Sequence, residues 1–175
     1  DRPTEGKEFS NVNSGHKIYY HKIGTPQSED VLFYQNPTEP MRFYYCDVND
    51  DETVMYLYEA GAGAGNNLFV RDLRKKDSQL IQMTSNMDYQ YSPLYTEGDR
   101  IYIFTNYGAP KGRIMVADIN KPGINDWQEL IPEQENVLDD VSVINRQFVL
   151  TYSQDASDHA FVYGLDGKMR HQVQL

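Results

Sequence analysis

Short runs of apolar residues recur along this chain at a regular spacing. Three of these runs end 46 residues apart, at Leu73, Ile119 and Leu165. A second series lies in phase with the first and begins at intervals of 47 residues, at Val54, Ile101 and Phe148. An earlier run, residues 18–23, resembles the first series. Self-similarity at a fixed period of about 40–50 residues indicates a repeat architecture.

Turn-forming residues separate the runs. Asn, Asp and Gly lie between successive runs at 49–51, 97–99 and 166–167, as in hairpin turns. Shorter apolar runs follow each copy of the first series, at 31–34, 80–83, 129–131 and 172–175. No long segment shows helical periodicity, although Val137 to Val143 fits either a helical turn or a strand. Each repeat therefore predicts about four short antiparallel strands, the size of a propeller blade.

The repeats predict an all-β fold, a partial β-propeller. It has about three four-stranded antiparallel blades, at 36–85, 86–133 and 134–175, preceded by the outer part of another blade in 1–35. A closed four-bladed propeller would also fit the length, but the polar first 16 residues cannot supply the missing inner strands. The chain does not begin with Met, so we interpret it as a single propeller fragment of a longer protein.

Composition and charge narrow the range of partners. The 14 tyrosines and 7 phenylalanines favour strands. The formal net charge of −10 disfavours nucleic-acid binding, because a phosphate backbone would be repelled. No apolar segment approaches the roughly 20 residues that a membrane span needs. We therefore expect neither nucleic acid nor membrane as a partner.

The sequence offers little catalytic chemistry. No serine has glycine two residues before it, so the G-x-S-x-G nucleophile elbow is absent. The four histidines lack zinc-site spacing, and the single cysteine, Cys46, lies in an apolar run that favours a packed thiol. The adjacent carboxylates Asp50–Asp51 and Asp139–Asp140 fit turns better than an acid–base pair. We expect no catalytic residue, no metal and no cofactor.

One glycine-rich segment spans residues 61–65, Gly-Ala-Gly-Ala-Gly. A phosphate-binding loop would lead from a strand into a helix. Here Asn66, Asn67 and a strand-like run follow instead. The segment therefore predicts a flexible hairpin between two strands of one blade.

Four ordered segments resemble the propeller of the prolyl oligopeptidases. Residues 19–32 (YYHKIGTPQSEDVL) are similar to the family pattern YYH-x-x-GT-x-QSED-x-L. Residues 104–114 (FTNYGAPKGRI) and 127–133 (WQELIPE) resemble TN-x-x-(A/S)P-x-x-R-(L/I) and the W-x-x-L-(V/I)-PE end of the same blade. Residues 136–139 (NVLD) resemble DVL-(E/D), with Asn for the first Asp. The matches keep the family's order and spacing.

The resemblance implies a function for the parent protein. In this family a seven-bladed propeller caps an α/β-hydrolase domain and admits short peptides to a Ser-Asp-His site, which cleaves after proline. By that likeness, this chain is a non-catalytic gating fragment of a prolyl-specific serine endopeptidase. Its implied partners are the parent's own hydrolase domain and short proline-containing peptides. The compartment stays open between cytoplasm and periplasm, with the cytoplasm preferred.

The resemblance also points to Glu59 and Ala62. Family members commonly carry Arg-Glu-Gly-Cys in a loop that reaches the active site, and the matching positions here are Glu59 to Ala62. We expect both residues to face substrate in the parent, with an anion replacing a cation. The parent would then tolerate acidic residues near the scissile proline less well.

Two further expectations come from the residues themselves. The alternative function is a stand-alone β-rich module that binds a peptide or carbohydrate through exposed tyrosines. An incomplete propeller also leaves apolar blade faces and strand edges without neighbours. We therefore expect self-association through the hairpin at 17–35 or through the last blade.

Overall fold

The computed structural model describes residues 5–6, 9 and 12–174 and is all-β. Its strands are β1 (Lys17–Tyr20), β2 (Val31–Gln35), β3 (Phe43–Val48), β4 (Val54–Ala60), β5 (Asn66–Asp72), β6 (Ile81–Gln82), β7 (Tyr91–Glu97), β8 (Arg100–Thr105), β9 (Arg113–Asp118), β10 (Gln128–Ile131), β11 (Val137–Ile144), β12 (Gln147–Gln154), β13 (Ser157–Gly164) and β14 (Met169–Gln172). Two short 3₁₀ helices, Gln27–Glu29 and Ile124–Asp126, precede β2 and β10.

The strands form four antiparallel sheets in chain order. The first sheet pairs β1 with β2, and the other three are four-stranded meanders of β3–β6, β7–β10 and β11–β14. Each repeat of the sequence thus supplies one sheet, and the predicted fold class is confirmed. The turns at 49–51, 97–99 and 166–167 each close a hairpin, as predicted.

One open alternative is resolved, and two local predictions need correction. The segment at 137–143, which fitted either a helical turn or a strand, is strand β11. Asp139 and Asp140 lie within that strand, at an irregularity of its pairing with β12, and do not form a turn. The outermost strand of the last sheet is Met169–Gln172, three residues before the predicted run, because the tight turn at 166–167 returns the chain at once onto β13. Leu175 lies outside the described residues.

Two apolar cores hold the three larger sheets together. The first core lies between the second and third sheets and includes Tyr56, Leu68, Tyr91, Ile103 and Trp127. The second lies between the third and fourth sheets and includes Tyr102, Ile114, Leu138, Phe148 and Leu150. Strand β8 is buried along almost its whole length because it contributes side chains to both cores. This double burial explains its unbroken apolar sequence.

The antiparallel order places the connections at two opposite faces. The end at which β3 begins and β4 ends carries the connections 36–42, 61–65, 83–90, 106–112 and 132–136, and we call it the upper face. The lower face carries the hairpin turns 49–53, 98–99, 145–146 and 165–168. Hydrogen bonds join the second and third sheets at both faces. Asn66 bonds the backbone of Tyr91 near the upper face, and Arg74 bonds Asp99 at the lower face.

No helix of the described residues has the length and apolar character to cross a membrane.

Candidate functional site

The glycine-rich loop 61–65 joins β4 to β5 at the upper face. Ala62, which the family resemblance selected, is exposed near its tip. Gly65, in contrast, is buried, and a side chain there would overlap the backbone carbonyls of Met87 and Tyr89. At Gly65 the backbone therefore approaches the connection before the third sheet more closely than a residue with a side chain would allow. This end of the loop is fixed by packing and is not free to move as a flexible hairpin would.

Glu59 lies on β4, just below this loop, and its side chain is buried with 6% exposure. Tyr44, directly opposite on β3, donates its hydroxyl to Glu59 Oε1 at 3.3 Å. Asn67, opposite on β5, donates its amide to Glu59 Oε2 at 2.8 Å. Each carboxylate oxygen thus accepts a hydrogen bond from a flanking strand. Strand pairing produces this cluster, which the sequence alone did not reveal.

The buried carboxylate affects two neighbouring tyrosines. Burial, together with the nearby charge of Glu59, raises the pKa of Tyr34 and that of Tyr44 above the usual range. The two rings meet edge to face, with centroids 5.0 Å apart. Both phenols therefore stay neutral, and Tyr44 stays a donor. Within the described part of the chain, Asn67 Oδ1 is buried without a hydrogen-bond partner.

Arg42 places a positive charge beside the start of the glycine-rich loop. Its guanidinium lies over Gly61, and a side chain at Gly61 would overlap it. The contact of Arg42 Nε with Glu39 Oε2 measures 3.6 Å, longer than an ordinary hydrogen bond. Our reading of the sequence missed Arg42. It lies 17 residues before Glu59 and 19 before Gly61, so only the strand register brings them together.

Cys46 and His21, which the sequence also offered as candidate groups, have different surroundings. Burial raises the pKa of the Cys46 thiol, which makes it a weaker nucleophile. His21 pairs with Asp30 at 2.6 Å on the exposed first hairpin. Among residues 5–6, 9 and 12–174, no three His, Cys, Asp or Glu side chains are grouped so that they could hold a metal ion.

Comparison with known proteins identifies the fold family. The sequence model described as "Prolyl oligopeptidase, N-terminal beta-propeller domain" matches residues 1–175. The prolyl endopeptidase of Elizabethkingia meningoseptica is 32% identical over 175 residues, which are all of this chain and 24% of that protein. Prolyl oligopeptidase A of Galerina marginata is 31% identical over 156 residues, which are 86% of this chain and 21% of that protein.

Solved structures agree with this assignment. Prolyl oligopeptidase B from Galerina marginata, bound to a 25mer macrocyclization substrate, superposes with a TM-score of 0.84 at 25% identity. The match covers 98% of this chain and 25% of that one. Oligopeptidase B from Leishmania major, at 18% identity and a TM-score of 0.71, shares the fold, over 88% of this chain and 23% of its own.

The chain spans about a quarter of the length of these relatives. The part that it shares with them is the propeller, in which each sheet described above is a blade or part of one. The chain belongs to the prolyl oligopeptidase family and consists of sequence from its N-terminal β-propeller domain.

Proposed function

We propose that this propeller controls which peptides reach a Ser-Asp-His site in an α/β-hydrolase domain of a longer protein, which cleaves short peptides after proline. The observation that carries the proposal is the match of the whole chain to the family's N-terminal propeller. Relatives named as prolyl endopeptidases, and structures named as bound to 25mer and 35mer substrates, support a peptide as the ligand.

Rigid blades suit a gate that selects by size. Asn66 donates its side-chain amide to the Tyr91 carbonyl and accepts the Tyr91 N–H, at 3.1 and 3.0 Å. The Tyr56 hydroxyl and Thr96 Oγ1 lie 2.5 Å apart between the same two sheets. These bonds hold adjacent blades together along their length. A short extended peptide would pass such a wall through a narrow opening, whereas a folded domain would not.

We further propose that the upper face lies on the substrate side. Ala62 is exposed there, and Glu59 lies beneath it. In this arrangement the chain supplies no catalytic group. Ala62 would shape the approach to the site, and Glu59 would add its negative charge from below the surface.

Two measurements test the proposal. Incubated with a chromogenic Gly-Pro peptide, this chain alone is expected to show no turnover that a serine-directed inhibitor abolishes. The longer protein is expected to cleave a Gly-Pro bond in a short peptide with far higher kcat/KM than the same bond in a long, denatured protein. Subtilisin, as a control, should cut the denatured protein freely and so prove it accessible. Equal kcat/KM for both substrates would contradict gating.

The alternative, a stand-alone peptide- or carbohydrate-binding module, would need no hydrolase domain. The family match over the whole chain supports the gating role more strongly.

A further inference from the structure

A cavity of about 330 Å³ lies beside the start of β3. It is lined by Asn13, Ser14, His16, Arg42 and Phe43. One of these side chains is cationic, three are polar, and none carries a negative charge. Within the described part of the chain, Arg42 forms an ion pair with Glu39, whose side chain is 54% exposed. The described lining of the cavity therefore has the opposite sign to the protein as a whole, whose net charge is −10.

Arg42 enters this cavity with unused hydrogen-bonding capacity. Its side chain is 32% exposed, and the 3.6 Å contact with Glu39 is its one ion pair among the described residues. A guanidinium has five N–H donors, which fit a carboxylate in a fork geometry. The absence of a side chain at Gly61 leaves room for the group against the loop. Arg42 is thus partly desolvated, and among residues 5–6, 9 and 12–174 no group accepts a hydrogen bond from its guanidinium.

His16 adds a second donor whose orientation is fixed. Its Nδ1 accepts the backbone N–H of Tyr44 at 2.9 Å, so the neutral ring carries its proton on Nε2. The ring stacks on Tyr44, with centroids 6.1 Å apart and planes 9° from parallel. Ser14 and Asn13 bring a hydroxyl and an amide to the same cavity, and Phe43 supplies an apolar wall.

We propose that this cavity binds the carboxylate of a short peptide, with Arg42 as the charged partner and His16 Nε2–H as a neutral donor. A cation beside neutral donors and an apolar wall is the chemistry that recognises a carboxylate attached to an organic chain. The choice of a peptide as ligand rests on the proposed function. The site adds a preference for anionic peptides, which Glu59 alone would oppose.

Binding to this chain tests the site without any catalytic domain. Two matched probe pairs are titrated and followed by ¹H–¹⁵N NMR: acetyl-Gly-Pro-Ala as free acid and as amide, and acetyl-Gly-Pro-Asp-amide against its Asn counterpart. We expect at least one acidic probe to bind about tenfold tighter than its neutral partner, with shifts at the Tyr44 amide and the Arg42 side chain. The probe pair whose acidic member binds more tightly shows whether a terminal or a side-chain carboxylate is the ligand.

Variants assign the effect to Arg42. Arg42→Gln should remove the difference within the responsive pair, while Arg42→Lys should keep part of it. Arg170→Gln is the matched control, because Arg170 also lies over a glycine, Gly164, but is paired with Asp166 at 2.9 Å. It should leave the difference intact. Unchanged dispersion of the NMR spectrum will show that each variant is folded.

Two results would overturn the site: equal binding within both probe pairs, or an acid preference that survives in Arg42→Gln. If either result is obtained while the longer protein still discriminates by substrate size, the carboxylate site is contradicted and the proposed selection by size stands. If the carboxylate probes bind as expected but the longer protein does not discriminate by size, the proposed gating is contradicted and the carboxylate site stands.

Discussion

Arg74 donates a hydrogen bond to Asp99 at 2.7 Å and thereby connects the second sheet (β3–β6) to the third sheet (β7–β10) at the lower face. The same guanidinium donates to Asp72, at the end of β5, at 2.8 and 3.1 Å. Asp72 is buried, whereas Asp99 is exposed. One arginine thus neutralises a buried carboxylate within its own blade and reaches a second carboxylate on the neighbour.

We predict that Arg74→Gln lowers the free energy of unfolding by about 1–3 kcal/mol, because among the described residues it leaves buried Asp72 with Lys75 as its one cationic partner. Urea unfolding followed by circular dichroism measures the change. Arg170→Gln is the control, since Arg170 pairs with exposed Asp166 inside one hairpin, and its effect should stay below about 0.5 kcal/mol. Equal losses in both variants would show that the link between blades adds nothing.

Acid should weaken this link. Hydrogen bonds from Arg74 hold the pKa of Asp72 far below its usual range. A lowered folded-state pKa contributes stability above the ordinary Asp value, about 3.9, and that contribution is lost as pH falls further. The free energy of unfolding should therefore drop steeply below about pH 4. In Arg74→Gln the slope should be shallower, and an identical slope would contradict the assignment.

Alkali should destabilise the chain through buried tyrosines. Burial is the main cause that raises the pKa of Tyr56 to about 12. Because the unfolded chain ionises near pH 10, stability present below that value should be lost between about pH 10 and 12, by roughly 1.4 kcal/mol per pH unit for such a tyrosine. Tyr56→Phe should flatten the alkaline slope even though it loses the contact with Thr96. Tyr20→Phe, at an exposed position, should not change the slope.

Glu59 and Arg42 should influence charge preference in opposite directions. In the longer protein, kcat/KM is compared for substrates with Asp or Lys on the amino side of proline. We expect Glu59→Gln to raise the Asp/Lys ratio about two- to fivefold and Arg42→Gln to lower it. Gln is chosen at position 59 because it can still accept the hydrogen bond from Tyr44, whereas Arg would bury a cation there. An unchanged ratio in Glu59→Gln would remove Glu59 from substrate discrimination.

Self-association should depend on the first hairpin. Tyr20 and Val31 face each other across its two strands and are 64% and 62% exposed. We predict oligomers in light scattering at high concentration, reduced when Tyr20→Lys and Val31→Glu are combined as an opposite-charge pair. Ile144→Lys on the last blade tests the other exposed face. A monomer at high concentration in the unmodified chain would contradict the prediction.

The blades were predictable because their pattern repeats. Val54 and Phe148 mark the central strand of two blades, and both lie in strands within one residue of the predicted start. The last outer strand was misplaced because Met169 to Gln172 is exposed along its length and carries no apolar signal of its own. Burial patterns identify strands that are covered on both sides, and they say little about strands at an edge.

The candidate site was only partly predictable. Family likeness selected Glu59 and Ala62, and the structure places Glu59 near the end of β4 and Ala62 in the loop that follows. The burial of Glu59, however, depends on Tyr44 and Asn67, which lie opposite it on two different strands. The proximity of Arg42 to Gly61 could be recognised only after the strand register was known. Contacts of this kind come from pairing between strands, which sequence spacing does not specify.

The close approach at Gly65 has a geometric consequence for the two sheets that meet there. Its backbone rests against the Met87 and Tyr89 carbonyls at the upper face, while Arg74 and Asp99 hold the same two blades at the lower face. A single methyl group at position 65 would separate the blades above and leave them joined below. The tilt between these two sheets at the upper face therefore depends on a position in this loop where a side chain would displace the neighbouring backbone.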